Sequence, residues 1–364
     1  MAQDRKRIIV LGGYGAIGTH VCAEVSRLPY VDCVVAGRSL SKARRVARQI
    51  AATPLQIDAE DTNAVDGKLA GAFLVIDLAG SFQRRSPMVA RYCASNGIHY
   101  VDLSDDRGYT AQLLKLDAQA KRSGSVLVTG AGSLPGLASI LVDSLRGQFS
   151  SIEEIHAHVS FGAAHPHGRG SAASLLTNLG TSIRVKHRGR WSQATYWTQA
   201  QRIRFPDPVG RRLTWLVDVP AADVFAQHYD AQTIEFHAGT HSALLNGLLV
   251  LLRKMRRGNQ PVSAAMARLA ARLAHVGGFF GGQTSGIVVF VKGIENGDVV
   301  THSVALVEQD GADPGIVTSL VKTLVRRWVE IGVPEAGAVG AVGLLSLDEM
   351  KPALIDHGVR LVRA

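Results

Sequence analysis

The sequence predicts an α/β chain, with an N-terminal doubly wound parallel sheet followed by a domain of α+β type. Three observations carry this. Strand-like and helix-like segments alternate through the first third of the chain, and a glycine-rich turn follows the first apolar strand. From Ile152 onward the pattern becomes a two-residue alternation, as in Ile155-His156-Ala157-His158-Val159.

The first strand, Arg7-Ile8-Ile9-Val10-Leu11, runs into Gly12-Gly13-Tyr14-Gly15-Ala16-Ile17-Gly18 and an amphipathic stretch ending near Leu28. In such a strand-turn-helix unit Gly13 allows the tight turn, Gly15 lets backbone approach a pyrophosphate, and Gly18 lets the helix pack on the strand. The N–H groups of a helix starting near Gly15 then face the phosphates. The second strand, residues 31–36, ends about twenty residues after the first glycine, where an acidic residue would grip a ribose 2′-hydroxyl. Here Gly37 is followed by Arg38 and Ser39. A guanidinium suits bidentate, charge-assisted contact with a 2′-phosphate, so NADP is expected over NAD. Lys42, Arg45 and Arg48 read as a solvated helix face.

Residues 54–58 read as a short third strand, 72–80 as a buried fourth, 99–102 as a fifth and 125–129 as a sixth. Helices are expected over 41–50, 86–96 and 108–123, completing a Rossmann-type rhythm. After Gly130-Ala131-Gly132-Ser133-Leu134-Pro135-Gly136 a helix is expected over 137–145. The second domain is expected to be an antiparallel sheet, with strands near 181–186, 196–203, 231–238, 285–293 and 298–307 and helices near 171–179, 244–256 and 261–275. Gly277-Gly278-Phe279-Phe280-Gly281-Gly282 reads as a hinge or a plain linker, and helical pattern returns over 314–332 and 347–357. The expected division is therefore 1–135 for dinucleotide binding, 136–312 for an α+β substrate or dimerisation domain, and 313–364 for a helical segment returning to the first domain.

With 364 residues there is room for two cores, and 46% hydrophobic with 19% charged residues excludes a disordered chain. Cys22, Cys33 and Cys93 lie in no C-x-x-C pattern, which argues for a reducing compartment and against a disulfide framework or metal site. The first strand begins too early for a signal peptide, so a cytoplasmic protein is expected. A net charge of +10 suggests anionic ligands or surfaces. The densest basic stretch, 184–212, interleaves arginines with Trp191, Tyr196, Trp197 and Phe205, yet no nucleic-acid module surrounds it and none is expected to bind. The longest apolar run, 243–252, is too short to span a bilayer. Its basic end, Arg253-Lys254-Met255-Arg256-Arg257, complements a helix dipole, with peripheral membrane contact as a secondary reading.

These motifs together resemble the saccharopine dehydrogenase-like family, which includes saccharopine reductase-like and carboxynorspermidine dehydrogenase-like oxidoreductases. The resemblance rests on Leu11-Gly12-Gly13-Tyr14-Gly15, Ala36-Gly37-Arg38, Ile76-Asp77-Leu78-Ala79-Gly80-Ser81-Phe82, and the run from Cys93 through His99-Tyr100-Val101-Asp102 to Ser104. It extends to the 130–136 turn and to segments near Gly332-Val333-Pro334 and Ile355-Asp356-His357-Gly358. It covers residues 5–145 and the tail well, and the middle poorly. It implies a Rossmann domain, an inserted domain whose sheet can aid homodimer formation, and cofactor contacts at Gly13, Tyr14, Gly15, Ala16, Ile17, Arg38, Ser39, Asp58, Ala79 and Gly80. Gly80-Ser81-Phe82 stands where relatives often show Gly-Pro-Phe, and Ser133 where an Asp is usual before the proline; both bear on the substrate.

Hydride transfer belongs to a nicotinamide, so the chain must position a carbon and manage one proton. Tyr100 and Asp102, on one side of the fifth strand, are candidates for that proton, against a packing role for Tyr100 and a capping role for Asp102. His167 in the loop after a strand, with Arg169, is a candidate to close over a carboxylate, and His237 and His241 rank after it. The expected function is NADP-dependent hydride transfer with a small polar amine- or carboxylate-bearing substrate. Competing readings are a non-catalytic NADP-binding sensor or partner-associated module, and a lipid-related reductase.

Overall fold

The computed structural model describes residues 5–83, 85–162, 169–256, 283–308 and 314–363. The chain divides into two compact units. Met1–Gly132, Gly168–Gly170 and Thr318–Ala341 form the first; Ser133–His167, Ser171–Val317 and Val342–Ala364 form the second. Of the C-terminal segment, Thr318–Ala341 belongs to the first unit and Val342–Ala364 to the second.

Seven strands build the first unit: β1 (Lys6–Leu11), β2 (Val31–Gly37), β3 (Thr53–Gln56), β4 (Leu74–Asp77), β5 (His99–Asp102), β6 (Val126–Thr129) and β15 (Gly337–Gly340). All pair in parallel, in the order β15-β6-β5-β4-β1-β2-β3. Because helices cover both faces, the strand centres are mainly apolar, and Ile8, Ile9 and Val10 are all fully buried. One face packs Ile9, Val34, Val75, Tyr100 and Leu127 against Val65, Val89, Cys93, Leu113 and Ala120 from the helices α3 (Thr62–Lys68), α4 (Met88–Asn96), α5 (Arg107–Leu114) and α6 (Asp117–Ser123).

Local signals set the helix ends. Asp61 and Asp106 accept backbone N–H groups at the starts of α3 and α5, and Gly97 and Gly124 end α4 and α6 in left-handed conformations. The helix expected over 108–123 is in fact two, α5 and α6. The chain bends between them so that Leu113 and Leu116 are both buried, a demand of packing that periodicity does not show. Strand β15 was not foreseen, since Gly337-Ala338-Val339-Gly340 is short and small. It is placed by pairing with β6 and by Ala338 N–H donating to Asp117 at 3.0 Å.

In the second unit a nine-stranded sheet runs β10 (Gln201–Arg204), β11 (Arg211–Leu216), β12 (Thr233–Thr240), β7 (Ser151–Phe161), β13 (Ser285–Glu295), β14 (Asp298–Glu308) and β16 (Val359–Arg363). The hairpin β8 (Ser182–His187) and β9 (Arg190–Thr195) joins it through β12. The sheet is mixed, which corrects the antiparallel expectation. β12 pairs with β7 in parallel, since the long stretch between them supplies the crossover that parallel pairing requires. Of the strand expected over 196–203 only the end is formed, as β10; before it the chain turns, with Trp197 buried at φ 65° and stacked on Trp215 at 5.2 Å. β16 pairs with β14 over five residue pairs, which fixes the chain end to this sheet.

The apolar run at 243–252 lies in the helix Ala243–Met255, where Asn246, Leu249 and Leu252 are buried and Leu244 and Leu251 are exposed. Among the described residues no helix is long and apolar enough to cross a membrane. The helix expected over 261–275, the hinge at 277–282 and the loop holding His167 lie outside the described residues.

Alternation along β7 and β12 puts His158 against His237, rings stacked at 4.7 Å, both buried. Burial holds both neutral, with pKa values near 2 for His158 and near 4 for His237. Burial also opposes charge on the neighbouring His156, but hydrogen bonds to Glu235 and Glu154 outweigh it and raise its pKa. An unfolded histidine protonates near pH 6.5, so His237 contributes full stability above that pH. Stability then falls by about 1.4 kcal/mol per unit as pH drops toward the folded value, while His156 works in the opposite sense. Denaturant midpoints measured at pH 7 and pH 5 should fall in the parent protein, and the fall should be smaller in His237→Gln. An equal fall in both would remove His237 as its source.

Candidate functional site

The glycine turn is built by steric exclusion. Gly12 takes φ 73°, and a side chain there would meet the Leu78 carbonyl. A side chain at Gly18 would overlap the Gly12 carbonyl, so α1 (Gly18–Val25) can lie against the turn only because Gly18 has none. The left-handed glycine of the turn is therefore Gly12, while Gly13 packs over Cys22 Sγ and the Val10 carbonyl. Among the described residues an added side chain at Gly15 would meet the Gly12 carbonyl, at 3.0 Å. Ala16 and Ile17 complete the turn, and α1 starts after Ile17 with no side-chain cap. Backbone space at Gly15 and an uncapped helix start are what an anionic diphosphate requires.

Tyr14 crosses from this turn to the end of β2. Its ring fills the space beside Gly37, and its hydroxyl accepts the Ser39 N–H at 3.0 Å. Ser39 in turn caps α2 (Leu40–Gln49) by accepting the Lys42 N–H, so its hydroxyl has a structural task. Arg38 is exposed, and among the described residues its guanidinium has no partner. Asp58 follows β3, exposed, and accepts the Glu60 N–H at 3.1 Å. Ala79 and Gly80 follow β4, with Gly80 at φ 78° and the Ala79 α-carbon beside Gly12. All these residues thus stand past the C-terminal ends of β1 to β4, where β1 lies between β2 and β4 and strand order reverses.

Beneath that edge lies a polar network that the sequence reading missed in part. Arg85 donates to both oxygens of Asp77, at 2.7 and 3.1 Å, and to the Ala79 carbonyl at 3.0 Å. Both side chains are buried. Burial opposes the charge on Arg85, but the Asp77 carboxylate outweighs it and raises the pKa of the guanidinium. The Tyr100 hydroxyl bonds to Asp77 at 3.2 Å and to the Tyr109 hydroxyl at 2.7 Å. Burial raises the pKa of both phenols. Arg85 and Tyr109 carried no motif; the one available signal was the pairing of Asp77, inside an apolar strand, with an arginine shortly after the turn.

Asp102 is also fully buried, at the end of β5. One oxygen accepts the Ser104 N–H, the Gly130 N–H and the Thr129 hydroxyl, each at 2.9 Å. The other oxygen has no partner among the described residues. Burial raises the Asp102 pKa to about 7 against the pull of these three hydrogen bonds. Tyr100 and Asp102 are thus on one face, as expected, with Tyr100 committed to the Asp77 network and Asp102 half satisfied.

Residues 8–128 match the family model described as Saccharopine dehydrogenase NADP binding domain. Among solved structures, the saccharopine dehydrogenase (L-Glu forming) of Saccharomyces cerevisiae is 15% identical, with 99% of this chain and 100% of that one covered and a TM-score of 0.66. The DAP dehydrogenase of C. glutamicum, solved with DAP, is 14% identical over 97% of this chain and 99% of that one, with a TM-score of 0.49. No curated protein matches the sequence. The yeast likeness shows a shared fold.

Removing one partner of the Asp77–Arg85 pair leaves a buried charge unpaired, which costs about 3–5 kcal/mol. Arg85→Met should therefore destabilise the first unit by that order, and adding Asp77→Asn should restore part of the loss. A double variant no more stable than Arg85→Met, measured by denaturant unfolding, would contradict the pairing.

Proposed function

Since this chain is saccharopine dehydrogenase-like, with that family's NADP-binding domain at residues 8–128, we propose that it is an NADP-dependent oxidoreductase. It transfers hydride to or from a small polar substrate bearing an amine or a carboxylate. The observation that carries the cofactor reading is Arg38, exposed and unpartnered among the described residues, beside a glycine turn open at Gly15.

The residues fit the dinucleotide. The turn from Gly13 through Gly18 would take the diphosphate on backbone N–H groups, and Arg38 the 2′-phosphate, with Tyr14 holding the Ser39 backbone in place. Asp58, Ala79 and Gly80 line the same sheet edge. When bound, the nicotinamide supplies the hydride chemistry. For the accompanying proton we assign Asp102, whose second oxygen is free of partners among the described residues and whose pKa stands near neutrality. Tyr100 and Tyr109 hold the Asp77 network that shapes the floor of the edge.

Two measurements test this. Arg38→Ala should weaken NADPH binding about tenfold, the scale of one charge-assisted contact, and leave NADH unaffected. Equal NADPH and NADH affinities in the parent protein, unchanged by Arg38→Ala, would remove the NADP assignment. Asp102→Asn keeps the oxygen that accepts three hydrogen bonds but cannot exchange a proton. It should abolish the limb of the pH–rate profile near pH 7 while leaving NADPH affinity unchanged. A variant with the parent pH profile would exclude Asp102.

A further inference from the structure

Strand alternation sorts the cations of the second unit onto one face of its sheet. Residues 181–206 carry six Lys and Arg and no Asp or Glu. Register with β12 shows where they stand. Lys186 pairs with Ile234 and Trp215 with Ala238, so alternation carries Arg184, Lys186 and Arg211 onto the face that bears Ile234 and Ala238. In the hairpin of β10 and β11, Arg202 stands opposite Leu213 and Arg204 opposite Arg211, on that same face. All four arginines are exposed. Like charges set directly opposite each other on a sheet are destabilising, so Arg204 beside Arg211 is an arrangement that folding alone does not favour. Two exposed apolar side chains stand among the cations. One is Leu213; the other is Trp191, which pairs with Lys186 and has the Arg184 guanidinium 4.9 Å from its ring.

The helix Ala243–Met255 packs on the same face. At its start, Asn246 Oδ1 accepts the Thr240 N–H and hydroxyl, and Asn246 Nδ2 donates to the Thr240 carbonyl, which pins the helix to the end of β12. At its end, Arg256 donates to the Thr177 and Leu179 carbonyls, and Gly180 lies against Arg253 and Arg256 just before β8 begins. With Asn246, Leu249 and Leu252 turned inward, the outer stripe is Leu244, Leu248, Leu251 and Met255. Leu244 is 76% exposed, Leu251 53% and Met255 57%. A solvated helix face carries charge; this one is aliphatic, with Lys254 beside it and no Asp or Glu anywhere in residues 236–256.

The aliphatic stripe and the cations together select a partner. Nucleic acid matches the cations but offers leucine and methionine no hydrocarbon phase. A neutral bilayer takes up the stripe but leaves the cations without counter-charge. We propose that this side of the second unit is a docking surface for a bilayer carrying anionic headgroups. The headgroups meet Arg184, Lys186, Arg202, Arg204 and Arg211, while Leu244, Leu251 and Met255 enter the boundary with the acyl chains. Docking of this kind leaves the chain on the surface, spans nothing, and is independent of the oxidoreductase reading.

The test is flotation of the full chain, without nicotinamide, on vesicles of phosphatidylcholine alone or with about 30% phosphatidylserine at about 0.1 M salt. The chain should float with the phosphatidylserine vesicles and not with phosphatidylcholine alone. Each cation near an anionic surface is worth about fivefold, so the triple variant Arg202→Gln, Arg204→Gln, Arg211→Gln should weaken binding about a hundredfold. Leu244→Gln with Leu251→Gln leaves the charge unchanged and should weaken binding about tenfold. All five positions are exposed, and circular dichroism checks that both variants are folded. Equal flotation with both vesicles, or none at about 1 mM lipid, would overturn the proposal. So would parent-like binding by either variant. A single-stranded oligonucleotide bound more tightly than the vesicles, with the same affinity in the leucine variant, would assign the surface to nucleic acid instead.

Discussion

The first unit depends on one steric constraint, the two carbonyl groups that occupy the places of absent side chains. The Leu78 carbonyl sits where a Gly12 side chain would be, and the Gly12 carbonyl where a Gly18 side chain would be. Together they draw the end of β1, the start of α1 and the turn after β4 to within van der Waals reach. A methyl group at either glycine would push these backbones apart, and at Gly12 it would also oppose φ 73°. From that approach follow the open space at Gly15, the position of Ala79 and Gly80, and the course of the chain that brings Arg85 back beneath the turn to meet Asp77.

The two units treat buried polar groups differently. In the first, the Asp77 carboxylate, the Arg85 guanidinium and two tyrosine hydroxyls satisfy one another, so the charge is held deep in the fold at little net cost. Asp102 is one exception, with one oxygen saturated and the other bare among the described residues. In the second, the strands β7 and β12 bring His158, Ser160 and His237 onto one face, where His158 Nδ1 pairs with the Thr214 hydroxyl while the Ser160 hydroxyl and both His237 nitrogens have no partner among the described residues.

Much of this was legible in the order of residues. The parallel sheet announced itself because strands buried on both faces must be mainly apolar, and the glycine spacing because no other residue fits such a turn. Arg38 was legible from its distance to the turn. Other features were not. The break between α5 and α6 answers to the burial of Leu113 and Leu116, and β15 is named by its neighbours rather than by its own small residues. Trp197 sits in a turn because Trp215 gives its ring a surface to stack on, against the strand propensity of its segment. Which glycine of the turn takes the left-handed conformation depended on where the Leu78 carbonyl lies.

By itself the sequence determined the α/β class, the place of the dinucleotide turn and the arginine at the end of β2, since each is a matter of local periodicity, glycine spacing and chain distance. Only the tertiary structure decided that Asp77 meets Arg85 and Tyr100, and that β12 runs parallel to β7. Those contacts join residues distant in the chain, and their partners are set by strand order and register, which local pattern does not encode.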